Sequence, residues 1–162
     1  MLSIGFVGSQ YIANGTPFRN VVITVPNMVD ICPAELSTWK ESDYELSWTD
    51  GLQSIVSGAR DRAALVVSMP TIRQSSFLHW WPIYRDQGVV VIREQLLMLA
   101  DLQGVMTEKN YFDFVPERHR TQASATGREM ISEWTVLLAD LCRYSAARAL
   151  AMTDIVSDAI DE

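Results

Sequence analysis

The sequence has few of the residues on which metal sites, disulfide frameworks and membrane spans depend. It contains only two cysteines, Cys32 and Cys142, which lie far apart and lack the paired Cys/His spacing of a zinc site. No apolar run approaches the roughly 20 residues that cross a bilayer, and the N-terminal residues lack the basic region of a signal peptide. We therefore expect a cytoplasmic protein with reduced thiols, no metal, no cofactor and no membrane association.

Catalytic signatures are also scarce. The chain has two histidines, and it lacks both the G-x-S-x-G nucleophile turn and the G-x-x-x-x-G-K-[ST] phosphate loop. His79 lies in an aromatic segment, where packing in the core or at its rim is expected, and His119 lies between two arginines in a polar stretch. A Cys–His pair or convergent carboxylates remain open. The sequence nevertheless predicts a protein that is not an enzyme, with a small hydrolase built on a histidine as the weakest alternative.

Basic residues are outnumbered by acidic ones. There are 13 lysines and arginines against 20 aspartates and glutamates, which gives a net charge of −7. This balance disfavours general nucleic-acid binding, which uses basic side chains to neutralise phosphate. It suits a basic protein partner, which an acidic surface attracts over long range, although the same excess also serves solubility.

The apolar segments predict an α+β fold. Hydrophobic residues make up 48% of the 162 positions, enough for one domain over residues 1–162. Short β-branched or aromatic runs predict five strands, at residues 2–7, 20–25, 63–68, 77–84 and 89–93. The turn Asp86-Gln87-Gly88 joins the last two as an antiparallel hairpin. Pro26 and Pro33 predict an irregular connection after the second strand, and Pro82 predicts an edge position or a bulge. The expected architecture is a mainly antiparallel sheet of about five strands flanked by helices.

Helical patterns follow the second strand and fill the C-terminal region. A capping box formed by Ser42 and Glu45 predicts the start of a first helix that ends at Gly58. Residues 107–114 predict a short helix. A long C-terminal helix is expected over about residues 131–160, capped by Ser132 and carrying an apolar stripe of Trp134, Leu137, Leu138, Leu141 and Tyr144. Such a helix would project from the domain or pack against a second copy in a homodimer.

Tryptophan is abundant, with five residues in the chain. Trp80 and Trp81 are adjacent in a predicted strand, so their rings point to opposite faces of the sheet. Either one ring anchors a protein partner, a role that tryptophan fills well, or helices cover both faces and bury both rings.

The signals also occur in a recognisable order. Five short motifs follow one another along the chain. They are an acid-Leu-x-x-Trp run at 35–39, a Tyr-x-x-Ser-Trp helix at 44–48, an apolar strand ending in Ser-Met at 68–69, a Trp-x-x-Tyr strand at 81–84 and an Ile-Ser-Glu-Trp helix start at 131–134. Over residues 1–145 the chain therefore resembles a family of immunity proteins from bacterial contact-dependent growth inhibition systems. The resemblance implies a protein that binds the toxic C-terminal domain delivered by a neighbouring cell and blocks it in the cytoplasm.

The resemblance also guides the choice of candidate binding residues. Toxins of these systems are often nucleases, whose basic clefts an acidic inhibitor can occupy. Shared motif residues such as Trp48, Tyr84 and Trp134 are expected in the core, so exposed acids and aromatics are the better candidates for toxin contact. These are Glu41, Asp43, Glu45 and Asp50 around the first helix, Asp86 at the hairpin tip, and Trp80.

Two features depart from the family pattern. The chain after about Arg143 is longer than the family leads one to expect, and Arg118-His119-Arg120 is basic where an anti-nuclease surface would be acidic. The first feature favours the main alternative function, an adaptor or structural subunit that assembles through the long helix.

Overall fold

The computed structural model describes residues 2–100, 102, 104–118 and 132–158, with side chains as far as Ala151. It confirms the α+β class and the antiparallel pairing. The described residues contain eight strands rather than about five, arranged in two sheets, together with two α-helices. The strands are β1 Ser3–Ala13, β2 Thr16–Val25, β3 Met28–Glu35, β4 Arg62–Ser68, β5 Phe77–Asp86, β6 Val89–Arg93, β7 Gln95–Met98 and β8 Glu133–Leu137, and the helices are α1 Glu41–Ser57 and α2 Leu138–Asp158. Short 3-10 helices span Ile72–Gln74 and Tyr111–Phe114, so the helix expected over 107–114 is confined to its last turn.

The first sheet is a three-stranded meander in the order β1-β2-β3. Asn14 and Gly15 adopt positive φ angles of 51° and 79°, which form the turn between β1 and β2. The irregular connection expected after β2 is wrong, because Pro33 lies inside β3 opposite Asn20. Among the described strands β3 pairs only with β2, and an edge strand tolerates a residue that cannot donate a ladder hydrogen bond.

The second sheet has the order β4-β5-β6-β8, with β7 also paired to β5. The hairpin predicted for residues 77–93 is confirmed as β5 and β6. Pro82, however, is in a central strand and not at an edge. β6 pairs with residues 83–86 of β5, and β7 pairs with residues 77–80 of the same strand. Pro82 therefore lies between the two paired segments. The missing N–H of Pro82 therefore breaks no ladder on that side.

The C-terminal helix begins later than the sequence predicts. Residues 133–137 form strand β8, and α2 starts at Leu138 rather than near residue 131. Along β8, buried Val136 and half-buried Trp134 alternate with exposed residues, which is the period of a strand. The Trp134 ring stacks on Trp81 with centroids 5.1 Å apart. Ser132 thus precedes a strand and does not cap a helix.

Helix α1 packs tightly on the second sheet. A Cβ atom at Gly51 would lie 3.2 Å from the carbonyl oxygen of Ala64, so only glycine allows this approach without displacement. The indole N–H of Trp48 donates to the Val66 carbonyl at 2.6 Å. The helix begins at Glu41, and Asp43 rather than Glu45 accepts the backbone N–H at its start, from Lys40 at 2.8 Å. Gly58 ends α1 with φ of 75°, as predicted.

Buried tyrosines link the separate elements. The Tyr44 hydroxyl donates to the Glu35 carbonyl and accepts from the Met69 N–H, both at 2.7 Å, and so bridges the ends of β3 and β4. Burial raises the pKa of this hydroxyl well above its usual range. The Tyr144 hydroxyl of α2 bonds the backbone of Ile4, and Arg148 donates to the same Ile4 carbonyl at 3.0 Å. The first half of α2 is therefore bound to its own chain.

Candidate functional site

An open cleft of about 770 Å³ runs between α1 and the segment around Tyr111; we call it the α1 cleft. It combines acidic, aromatic and small polar side chains from α1, from the connection before it and from residues 108–112. Its lining is Thr38, Trp39, Asp43, Leu46, Ser47, Asp50, Gly51, Ser54, Arg60, Ala63, Ala64, Glu108, Lys109, Tyr111 and Phe112.

The helix wall of this cleft carries two of the predicted acids. Asp43, Leu46 and Asp50 recur at the three- and four-residue spacing that places side chains on one helix face. Both carboxylates are exposed, and Leu46 is 53% exposed. Within the described part of the chain, no cation lies within ion-pair distance of Asp43 or Asp50. This wall therefore offers two available negative charges with an apolar side chain between them.

Aromatic rings also line the cleft. Trp39 meets Tyr111 edge to face at 5.4 Å, and the Tyr111 hydroxyl lies 2.6 Å from the Ser47 hydroxyl. Burial raises the pKa of Tyr111, which keeps that hydroxyl neutral. The guanidinium of Arg60 lies 4.3 Å from the centre of the Phe112 ring. A guanidinium is thus already placed against one aromatic wall, as the attraction between a cation and a ring face favours.

The other two acids predicted around α1 have different roles. Glu41 accepts from Arg19 at 2.5 Å and from Gln10 at 2.8 Å, which ties the start of α1 to the β1–β2 hairpin. Glu45 is half-buried and lines neither this cleft nor the one described next. The structure therefore brings together Asp43 and Asp50, but not the full set of four.

A second cleft of about 760 Å³, which we call the arginine cleft, adjoins the first and shares Arg60 and Phe112 with it. Asp86 lies here, 2.7 Å from Arg118. Arg118 also contacts Glu133 at 3.3 Å, and Glu133 pairs with Arg93 at 2.6 Å. Asp86 is thus already neutralised within the chain. Of the basic triplet, Arg118 belongs to this network, and His119 and Arg120 lie outside the described residues.

Trp80 is not a surface anchor. Both Trp80 and Trp81 have 0% exposure, so the alternative in which both sheet faces are covered is correct. The Trp80 indole N–H donates to the Gln95 side chain at 3.1 Å. Because Trp80 is buried and its indole N–H is bonded inside the fold, it has no exposed group with which to contact a partner.

Neither His79 nor Cys32 lines either cleft. His79 Nε2 lies 3.3 Å from a Glu94 oxygen, and burial lowers the pKa of His79. Buried Cys32 donates to Asp30 at 3.0 Å, and burial together with Asp30 raises the pKa of its thiol to about 12. Among the described residues, no His, Cys, Asp and Glu side chains are grouped to hold a metal ion. None of the described helices combines the length and apolar character needed to cross a bilayer.

Sequence reasoning missed the apolar components of the α1 cleft. Leu46 lies outside the buried stripe of α1 and between Asp43 and Asp50 on the same helix face. This position is the sequence signal that could have marked Leu46 as part of a surface site. Trp39 lies only seven residues before Leu46. The aromatic pair Tyr111 and Phe112 could be placed in the same cleft as Leu46 only once the fold was known, because more than 60 residues separate them from it in the chain.

Comparison with known proteins gives consistent results. The model of the family described as "CdiI N-terminal domain" matches residues 34–144. The chain is 30% identical over 99 residues to "Immunity protein CdiI" of Enterobacter cloacae, an alignment that covers 61% of this chain and 65% of that relative, just under two thirds of the relative's length. It also resembles a chain of the solved "CdiA-CT/CdiI toxin and immunity complex from Enterobacter cloacae", with a TM-score of 0.78 and 23% identity over 92% of this chain and 99% of the other. The structural likeness establishes a shared fold.

These matches confirm the resemblance that the order of sequence motifs indicated. The matched span begins at the end of β3 and runs into α2, so it includes α1, the second sheet and both clefts. With more than half of its residues matched by the family model, the chain belongs to the CdiI N-terminal domain family.

Proposed function

We propose that this chain is an immunity protein, which binds the C-terminal toxin domain of a cognate contact-dependent growth inhibition protein and blocks its activity in the cytoplasm. Family membership carries the proposal, together with the similarity to a relative named as an immunity protein. The inhibitor acts by binding alone and needs no catalytic group, metal or cofactor.

We further propose that the toxin is a nuclease and that α1 is the contact surface. A nuclease binds phosphate through basic side chains, and an acidic inhibitor can occupy the same cleft. Residues 35–50 contain five acids and one base, in a chain of net charge −7. Asp43 and Asp50 line the α1 cleft, are exposed and have no ion-pair partner among the described residues, so they are the part of this charge that is available to a partner.

The test uses the C-terminal domain of the large secreted protein encoded beside this gene. Cells that produce that domain should grow only when this chain is produced with it, and titration calorimetry of the purified pair should give a Kd in the nanomolar range. The toxin domain of an unrelated system serves as the control and should be neither bound nor neutralised. Absence of both protection and binding with the neighbouring domain would overturn the proposal.

A further inference from the structure

The spacing of the two carboxylates on the helix wall of the α1 cleft limits which partner segments can bind there. Asp43 and Asp50 are seven residues apart in α1, which corresponds to roughly 10 Å along the helix axis. Leu46 lies between them on the same wall and exposes about half of its side chain. The wall therefore presents negative, apolar and negative elements in a row.

The rest of the cleft suits a partner with long basic side chains. Trp39, Tyr111 and Phe112 line the cleft, and the guanidinium of Arg60 already packs on the Phe112 ring. Lysine and arginine can bury their apolar stems along rings while their charged ends reach a carboxylate. The rest of the lining carries two bases, Arg60 and Lys109, and one acid, Glu108, so the preference for a basic partner rests on the helix wall and not on the whole cleft.

We propose that the α1 cleft takes a segment of the toxin domain with two basic side chains, whose charged ends lie roughly 10 Å apart, on either side of an apolar side chain that packs on Leu46. This inference rests on the proposed function and goes beyond it by stating the chemistry of the bound segment. Each basic end pairs with one carboxylate, and the apolar contact removes Leu46 from water.

The charge requirement is tested by the double variant Asp43→Asn/Asp50→Asn. Asparagine at position 43 retains an oxygen that can accept the Lys40 N–H, so the start of α1 is preserved. The matched control is Asp113→Asn/Glu117→Gln, which removes two exposed acids of the arginine cleft and changes the net charge equally. By calorimetry with the neighbouring toxin domain, the α1 double variant should weaken binding by roughly 30- to 100-fold, and the control by less than about 3-fold.

The apolar requirement is tested separately with Leu46→Ala. Its matched control is Leu150→Ala on α2, a leucine that is 69% exposed and remote in sequence from the cleft. We expect about a tenfold loss of affinity for the first variant and less than about a threefold loss for the second. Circular dichroism should show that all four proteins are folded.

The outcomes separate the two proposals. If the unaltered chain fails to bind the toxin domain, the proposed function fails. If the chain binds and the Asp43/Asp50 variant stays within about 3-fold of it, or loses no more than the Asp113/Glu117 control, the immunity function stands and the assignment of the α1 cleft is overturned. Selective loss in both α1-cleft variants supports the assignment.

Discussion

The hydroxyl of Tyr144 replaces a strand partner for Ile4, since it accepts the Ile4 N–H at 2.9 Å and donates to the Ile4 carbonyl at 3.0 Å. Among the described residues β1 is an edge strand of the first sheet, so without Tyr144 the Ile4 N–H would have no strand to bond at this position, whereas the carbonyl would keep its bond from Arg148. One side chain of α2 thus satisfies both polar groups of a buried residue.

Replacement of this tyrosine should therefore lower stability. In Tyr144→Phe the Ile4 N–H loses its acceptor, whereas the Ile4 carbonyl keeps its bond from Arg148. We expect the free energy of unfolding in urea to fall by about 1–2 kcal/mol. Tyr11→Phe is the control, because Tyr11 is exposed and its hydroxyl bonds the Asn20 side chain at 3.3 Å, and it should change stability by less than about 0.5 kcal/mol. Equal effects in the two variants would argue against the strand-partner role.

Gly51→Ala should act against the usual helix preference. Alanine normally adds up to about 1 kcal/mol in a helix interior, but here its Cβ would lie 3.2 Å from the Ala64 carbonyl of β4. That carbonyl belongs to backbone held by pairing with β5, so we expect a loss of about 1–3 kcal/mol in urea unfolding. Gln53→Ala, at an exposed position of α1, is the control and should be nearly neutral. A gain in stability for Gly51→Ala would mean that α1 and β4 separate at little cost.

Stability should decrease in mildly acidic solution through His79. Burial lowers the pKa of His79 from its ordinary value near 6.5, and nearby Glu94 and Asp30 offset this only in part. The stabilising effect of the neutral imidazole is therefore complete above pH 6.5 and is lost as the pH falls towards the folded-state pKa, because the unfolded chain binds the proton first. Urea unfolding at pH 7.5 and 5.5 should show a larger acid loss for the unaltered chain than for His79→Asn. His119→Asn is the control and should retain the loss; an unchanged loss in His79→Asn would contradict the assignment.

Asp86→Asn should affect stability and not toxin affinity. The carboxylate is already paired with Arg118 in the arginine cleft, so we expect a loss of about 0.5–1 kcal/mol in stability and less than a threefold change in the Kd measured by calorimetry. A large loss of affinity with unchanged stability would instead restore Asp86 to the toxin-contact residues that the sequence predicts.

The elements that the sequence predicts well are those specified by local signals. The β5–β6 hairpin follows from a three-residue turn between two apolar runs, and the end of α1 follows from Gly58. In contrast, the sequence predicts helix at β8, because Trp134, Leu137, Leu138 and Leu141 also fit helical spacing. These residues form a strand because β8 pairs with β6 and Trp134 stacks on Trp81. Both contacts join residues that are far apart in sequence.

The candidate site shows the same limit. Net charge and helix position were sufficient to select Asp43 and Asp50, which do line one cleft. Helix position also favours Glu41, the hairpin tip favours Asp86, and aromatic content favours Trp80, but these side chains already bond Arg19, Arg118 and Gln95, respectively. Each of these partners lies 15 or more residues away in the chain, so composition and periodicity could not reveal that these three groups are already engaged.

The bond between Ile4 and Tyr144 also has a consequence for synthesis on the ribosome. The two residues are 140 positions apart, an interval that takes roughly 10–30 s to translate at ordinary bacterial rates. Throughout that time β1 has left the ribosome, but Tyr144, whose hydroxyl bonds the edge of β1, has not yet been added to the chain. α1 and β4, by contrast, are close neighbours in sequence and can pair as soon as both leave the exit tunnel. The helix wall of the α1 cleft can therefore form on the nascent chain before residues 108–112 complete the cleft and before Tyr144 reaches Ile4.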